Sequence, residues 1–308
     1  MEVLDVKNLS EIKDDLAAAM GFFDGVHLGH QQVINNALHY AKENRAKSLV
    51  ITFDESPKVV LKTISNSEYL TPITEKLRIL ENMGVDFVLV LKFDALVANL
   101  TAAEFIDQYL LKIGICYLAV GFDFMFGNGR EGNANYLQSH GGFKVDVLRP
   151  VLISGEKVST TRIKDRLKDY DFALVNYMMG RRFSLSGEVV YGQQLGRKIG
   201  FPTANLKSDS PWLADLCGVY ATFSYVDGVR YKSMTNIGFR PTMSEQDCIT
   251  VETYIFSLAA KDANLYGKLL RIEFLKHLRN EIKFSGIDEL AIQLEKDKNT
   301  VDKMSFYD

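Results

Sequence analysis

Residues 21–34 read GFFDGVHLGHQQVI, and they continue a short apolar run that begins at Leu16 and extends to Phe23. A strand, a glycine turn and the start of a helix follow one another here. Val33, Ile34, Ala37, Leu38 and Ala41 recur at helical spacing, so the helix runs to about Asn44. His27 and His30, two of the chain's five histidines, fall at its N-terminal end. Three residues apart, they can face one ligand together. A helix N-terminus presents unpaired N–H groups and positive potential, and two imidazoles there complete a site for a phosphate that gains charge.

A lone histidine in such a place reads more readily as a ring hydrogen-bonded in a core or at a surface than as a catalytic group. The HxGH pair, set between an apolar strand and a periodic helix, is instead the signature of Rossmann-like nucleotidyltransferases. In that chemistry an acceptor phosphate attacks the α-phosphate of a nucleotide in line, and positioned donors stabilise the charge. Further strands are expected at 48–53, 87–92 and 117–120, separated by helical patterns at 74–83 and 102–111. Alternating strands and helices build a parallel sheet with helices on its faces. Ligands of such sheets sit at the carboxyl ends of the strands. Gly21, Phe23, Asp24 and Gly29 follow the first strand, Thr52, Phe53 and Asp54 end the second, and Gly121, Phe122 and Asp123 follow the fourth. The run GNGREG at 127–132 reads as a lid or as plain surface. Ser159 and Thr160 are natural N-caps for a helix carrying Ile163 and Leu167. The same turn, with Thr160, Thr161, Arg162 and Lys164, also has the chemistry to grip nucleotide phosphates.

From Phe183 the pattern changes. Segments at 184–190, 218–226, 229–237, 250–256 and 268–274 are rich in β-branched and aromatic residues, which predicts an antiparallel barrel, and 287–304 returns to helical spacing. The boundary falls near Gly180, dividing the chain into 1–180 and 181–308. Within the second part, GEVVYGQQLGRKIGFPTAN at 187–205 is the most glycine-dense stretch. Gly192, Gly196 and Gly200 let backbone N–H groups approach an anion, and Arg197 and Lys198 add charge. Pro202 sets a bend from which Thr203 and Asn205 offer a hydroxyl and an amide oxygen, hard ligands suited to Mg²⁺. The stretch lacks GxxxxGK[ST] and is no P-loop. Glu252, in ITVETYIF, alternates with Thr250 and Tyr254, as a solvent-facing carboxylate or as a base for an attacking hydroxyl.

Composition bounds the rest. At 308 residues the chain suits two domains, and 47% hydrophobic with 24% charged residues is ordinary for a soluble globular protein. The N-terminus has no secretory pattern and no window spans a membrane, so the expected compartment is the cytoplasm. Cys116, Cys217 and Cys248 include no CxxC pair and read as small buried hydrophobes. A net charge of −3 carries no broad basic field, which favours a small phosphorylated substrate over nucleic acid. No protein partner is indicated.

The motifs together resemble those of the bacterial bifunctional riboflavin kinase/FAD synthetases over nearly the whole chain. They are GFFDGVHLGH at 21–30, VGFDFMFGNGREG at 120–132, STTRI at 159–163, GEVVYGQQLGRKIGFPTANL at 187–206, GVY at 218–220, TNIGFRPT at 235–242, VETYIF at 251–256, LYG at 265–267 and LRNEIKF at 278–284. The resemblance implies an N-terminal Rossmann-like domain that adenylylates FMN to FAD. It also implies a C-terminal barrel that phosphorylates riboflavin to FMN, with ATP as co-substrate of both reactions and Mg²⁺ at the barrel. By resemblance, Glu252 is the general base, Thr203 and Asn205 hold metal and phosphates, and Asn236, Arg279 and Glu281 border the flavin. His27 and His30 are the transition-state donors, while Asp123, Thr160, Thr161 and Lys164 contact the nucleotide. Where the family reads TFxPHP, this chain has Thr52-Phe53-Asp54-Glu55-Ser56-Pro57. An acidic side chain beside a phosphate site leaves open two alternatives: a kinase with impaired adenylylation, or a flavin- or nucleotide-binding regulatory protein whose catalysis has decayed.

Overall fold

Leu16–Met20 (β2) is buried along its whole length, and its alternate residues enter two separate cores. Leu16, Ala18 and Met20 pack on one face with Leu49, Ile51 and Leu118. Ala17 and Ala19 pack on the other with Val33, Ile34 and Ala37 of the helix Leu28–Asn44 (α1). Burial on both faces is the reason this strand is continuously apolar. The computed structural model describes residues 1–4, 14–55, 69–192, 194–207, 211–240, 248–258 and 265–305.

Contacts divide the chain into two units, Met1–Arg162 and Ile163–Asp308. In the first, Glu2–Leu4 (β1), β2, Lys47–Phe53 (β3), Phe87–Leu91 (β4), Ile115–Gly121 (β5) and Lys144–Leu148 (β6) form one parallel sheet ordered β1-β4-β3-β2-β5-β6. The chain steps from β2 through β3 to β4 on one side and resumes at β5 on the other. The crevice of this switch point lies at the carboxyl ends of β2 and β5. Strands β1 and β6 were not evident in the sequence, β1 because it has three residues and β6 because KVDVL, on the sheet's edge, buries little and carries charged residues among its apolar ones. The expected helix at 102–111 runs without interruption from Ala102 to Ile113, its middle turn Ile106–Leu110 wound as a π-helix, and it ends at Gly114 with φ 73°.

In the second unit, Ser184–Val190 (β7), Thr203–Leu206 (β8), Gly218–Val226 (β9), Val229–Arg240 (β10), Cys248–Ile255 (β11) and Leu269–Arg279 (β12) close a barrel ordered β7-β8-β11-β10-β9-β12. All its pairs are antiparallel. Thr222, Ser224, Ser233, Thr235 and Thr253 are fully buried, and their hydroxyls bond one another at 2.8–2.9 Å. The expected bend at Thr203–Asn205 is instead strand β8, because its backbone pairs with β7 on one side and β11 on the other. A terminal helix covers Ile287–Lys303. Cys116 and Cys217 are free and partly exposed rather than buried, each lying at or just before the start of a strand.

The helix Thr160–Lys168 (α3) leads into Phe172–Met179 (α4), and the aromatic residues after α3 enter the barrel unit's core. Phe172 is 2% exposed, with ring centroids 5.6 Å from Tyr220 and 5.8 Å from Phe274, and Tyr170 stacks on His277 at 3.8 Å. Phe172→Ala should therefore cost this unit about 3–5 kcal/mol. Urea unfolding measures it; a loss below about 1 kcal/mol would show that α4 is no part of the barrel's core.

Candidate functional site

After β2 the backbone turns tightly. Phe23 and Val26 take φ of 52° and 39°, and Gly25 takes 84°. Non-glycine residues persist there only where their surroundings over-determine them. His27, 5% exposed, caps α1: its Nδ1 accepts the His30 amide at 3.3 Å. With Nδ1 accepting, the proton of the neutral ring sits on Nε2, a donor of the kind a developing phosphate charge needs. The two rings stack with centroids 3.6 Å apart, and the ring of Phe23 meets His30 edge-on. Gly21 opens this turn, and Gly29 lies in the first turn of α1 against the His27 ring.

Asp24 is buried and accepts the Thr71 amide at 3.1 Å, while its carbonyl accepts the Thr160 hydroxyl at 3.0 Å. Of the two expected caps of α3, only Ser159 serves, accepting the Arg162 amide at 3.3 Å. Thr160 instead ties the start of α3 to the turn before α1, so two helix N-termini meet at the carboxyl end of β2. Thr161 is exposed in the first turn of α3, and Lys164 follows on the same helix. Asp123, after β5, is exposed and paired with Lys157, whose ammonium lies 4.5 Å from the Phe122 ring centroid. The loop 127–132 is pinned: Asn128 donates to the Leu100 carbonyl and Glu131 accepts the Ala102 amide, each at 2.7 Å. Glu55 accepts the Tyr69 hydroxyl at 2.9 Å, and Tyr69 packs against Phe22. Ser56 and Pro57 lie outside the described residues, as do Gln193, Pro241 and Thr242.

In the barrel, Asn205 of β8 pairs with Glu252 of β11, which pairs with Asn236 of β10. The row continues through Val219 of β9 to Arg279 of β12. Thr203 lies two residues before Asn205 on the same strand face, and its hydroxyl donates to Glu252 Oε2 at 3.4 Å. The glycine-rich stretch closes over this row. A Cβ at Gly192 would overlap the Asn205 side chain, so only glycine permits the approach. Gly196 opens a turn by accepting the Phe201 amide at 2.8 Å, and Gly200 sits at φ 84°. Arg197, Thr203, Leu258, Leu265 and Tyr266 help line an adjoining pocket. Glu281 lies against Gly238, beside Asn236. Arg279 is committed to Asp297 of the terminal helix, donating to its carboxylate at 2.8–3.2 Å. Among the described residues no group of three His, Cys, Asp or Glu side chains could hold a metal, whereas Thr203, Asn205 and Glu252 bring hydroxyl, amide and carboxylate oxygens together.

Three contributors were not evident in the sequence. Asp297 is hidden in a charged helical tail, and Lys157 lies on a short hairpin. Lys76 carried a signal: with Ile79 and Leu80 it falls on the buried stripe of the helix Ile73–Asn82 (α2), where a lysine is out of place.

A family model described as FAD synthetase matches residues 9–162, and one described as riboflavin kinase matches 179–305. A relative from Escherichia coli K12 named bifunctional riboflavin kinase/FMN adenylyltransferase is 35% identical over 305 residues, covering 96% of this chain and 95% of its own. A relative of the same name from Listeria monocytogenes is 34% identical, covering 91% and 89%. A solved structure named as a macrolide-efflux protein from Streptococcus pneumoniae superposes with a TM-score of 0.84 at 27% identity, covering 99% of both chains. Among the described residues here, no helix is long and apolar enough to cross a membrane. With both models matched in order and relatives aligned along nearly its whole length, the chain belongs to the bifunctional riboflavin kinase/FMN adenylyltransferase family.

Proposed function

We propose that the barrel transfers the γ-phosphoryl group of ATP to the ribityl 5′ hydroxyl of riboflavin, and that the N-terminal sheet transfers AMP from a second ATP to FMN, releasing pyrophosphate. The observation that carries this reading is the row Asn205–Glu252–Asn236 under the glycine loop, present in one chain with the stacked His27–His30 pair. In the barrel, Glu252 takes the proton of the attacking hydroxyl, and Asn236, Arg279 and Glu281 border the flavin. Thr203 and Asn205 would hold Mg²⁺, which when bound neutralises phosphate charge. The backbone at Gly192, Gly196 and Gly200 cradles the phosphates.

In the sheet unit, His27 and His30 donate to the charge that develops on the α-phosphate. Gly21, Phe23, Asp24, Gly29, Asp123, Thr160, Thr161 and Lys164 line the nucleotide. The two activities divide near Gly180. The enzyme is read as cytoplasmic, acting on riboflavin, FMN and ATP, and the reading asks for no nucleic-acid, membrane or protein partner.

Incubation of the purified protein with riboflavin and Mg·ATP, with flavins resolved by chromatography, should show FMN first and FAD after it. No FMN overturns the reading. FMN without FAD favours the second reading, a kinase with a weakened adenylylation site, which the carboxylate of Glu55 at the end of β3 supports.

A further inference from the structure

Lys76 is 2% exposed on α2, and the adenylylation reading gives it no task. Its Nζ donates to the Phe22 carbonyl at 2.6 Å and to Thr52 Oγ1 at 3.2 Å. Thr52 donates to the same carbonyl at 3.0 Å, and the ammonium lies 4.4 Å from the Phe22 ring centroid. Two donors thus converge on one carbonyl at the carboxyl end of β2, one residue before Phe23 takes its left-handed φ of 52°. A buried ammonium costs free energy that an apolar side chain in the same place would not, so stability alone does not account for a lysine here.

We infer that Lys76 is a positioning residue for adenylyl transfer: through the Phe22 carbonyl it holds the turn that sets His27 and His30, and it places a fixed positive charge at the strand end. The inference rests on the adenylylation reading above. A carbonyl at this strand end directs partial negative charge towards the place where substrate phosphates are read to bind, and the ammonium offsets it.

Burial lowers the Lys76 pKa to about 8, with Asp24 acting against that shift. The other titratable and charged side chains on the surrounding elements are His27 and His30 of the turn region, Lys47 at the start of β3 with Asp54 and Glu55 after its end, Tyr69 against Phe22, and Glu75, Arg78 and Glu81 on α2. Glu55 accepts the Tyr69 hydroxyl, and Glu75 pairs with Arg78 at 2.6 Å. The ammonium is present below about pH 8 and is lost above it. Adenylylation should therefore fall as pH rises through that value.

The test measures kcat and KM for FMN-to-FAD conversion by the full chain, from neutral to alkaline pH, for the native protein, Lys76→Met and Lys76→Arg. Riboflavin phosphorylation in the same preparations is the internal reference. Lys76→Met should lower kcat by about 100-fold with a much smaller change in the KM for FMN and unchanged riboflavin phosphorylation. Lys76→Arg, which stays charged, should keep most of kcat and move the alkaline fall to higher pH. A Lys76→Met kcat within about twofold of native, or a Lys76→Arg profile with its fall unmoved, overturns the assignment. A native protein that makes FMN but no FAD overturns the adenylylation reading itself, which is a distinguishable failure.

Discussion

Glu252→Gln should lower FMN formation by roughly 10²- to 10⁴-fold while the protein still converts supplied FMN to FAD. Glutamine keeps the size and shape of glutamate, and its amide oxygen still accepts the Thr203 hydroxyl that now donates to Glu252 at 3.4 Å. The Asn205–Glu252–Asn236 pairing is made by backbone ladders and does not depend on the carboxylate. What the amide cannot do is take a proton from a ribityl hydroxyl. The loss should therefore fall on kcat with little change in unfolding temperature. Chromatographic rates with riboflavin and separately with FMN check it, and FMN formation within about threefold of native would remove Glu252 from the role of base.

The reciprocal result is expected of His30→Ala: FAD formation lower by roughly 10²- to 10³-fold, with riboflavin phosphorylation unchanged. The bond that caps α1 uses the His30 backbone amide rather than its ring, so alanine leaves His27 capping the helix. The substitution removes one donor and one face of the stacked pair, and the strand beneath keeps its burial. His27 alone would retain part of the charge stabilisation. If either variant lost both activities while remaining folded, the two sites would not be independent.

The parts of the fold that were legible in the sequence are those specified locally. The strand, turn and helix around His27 and His30 lie within one short stretch, and apolar spacing alone places α1. The barrel was legible as a set of strands but not as an order, because neighbours such as β8 and β11 are joined through pairing distant in sequence. Proline, threonine and asparagine together look like a turn in the sequence, but pairing on both sides overrides that preference and makes the stretch strand β8. Ser159 and Thr160 are equivalent caps by residue type, and only the nearby Asp24 carbonyl separates their roles. The sequence leads one to expect Arg279 beside the flavin, whereas its pairing with Asp297 could not be read there, because Asp297 belongs to a helix whose sequence shows only ordinary surface charge.

Asn205, Glu252 and Asn236 come from three strands and stand abreast only because two ladders keep step. Sliding β11 by a single residue would send Glu252 to the opposite face and put Val251 or Thr253 in its place. On the proposed role of Glu252 as base, a barrel closed out of step would be catalytically silent rather than slow. Turnover of riboflavin per mole of protein would then count correctly threaded molecules, making the kinase reaction a direct gauge of refolding yield.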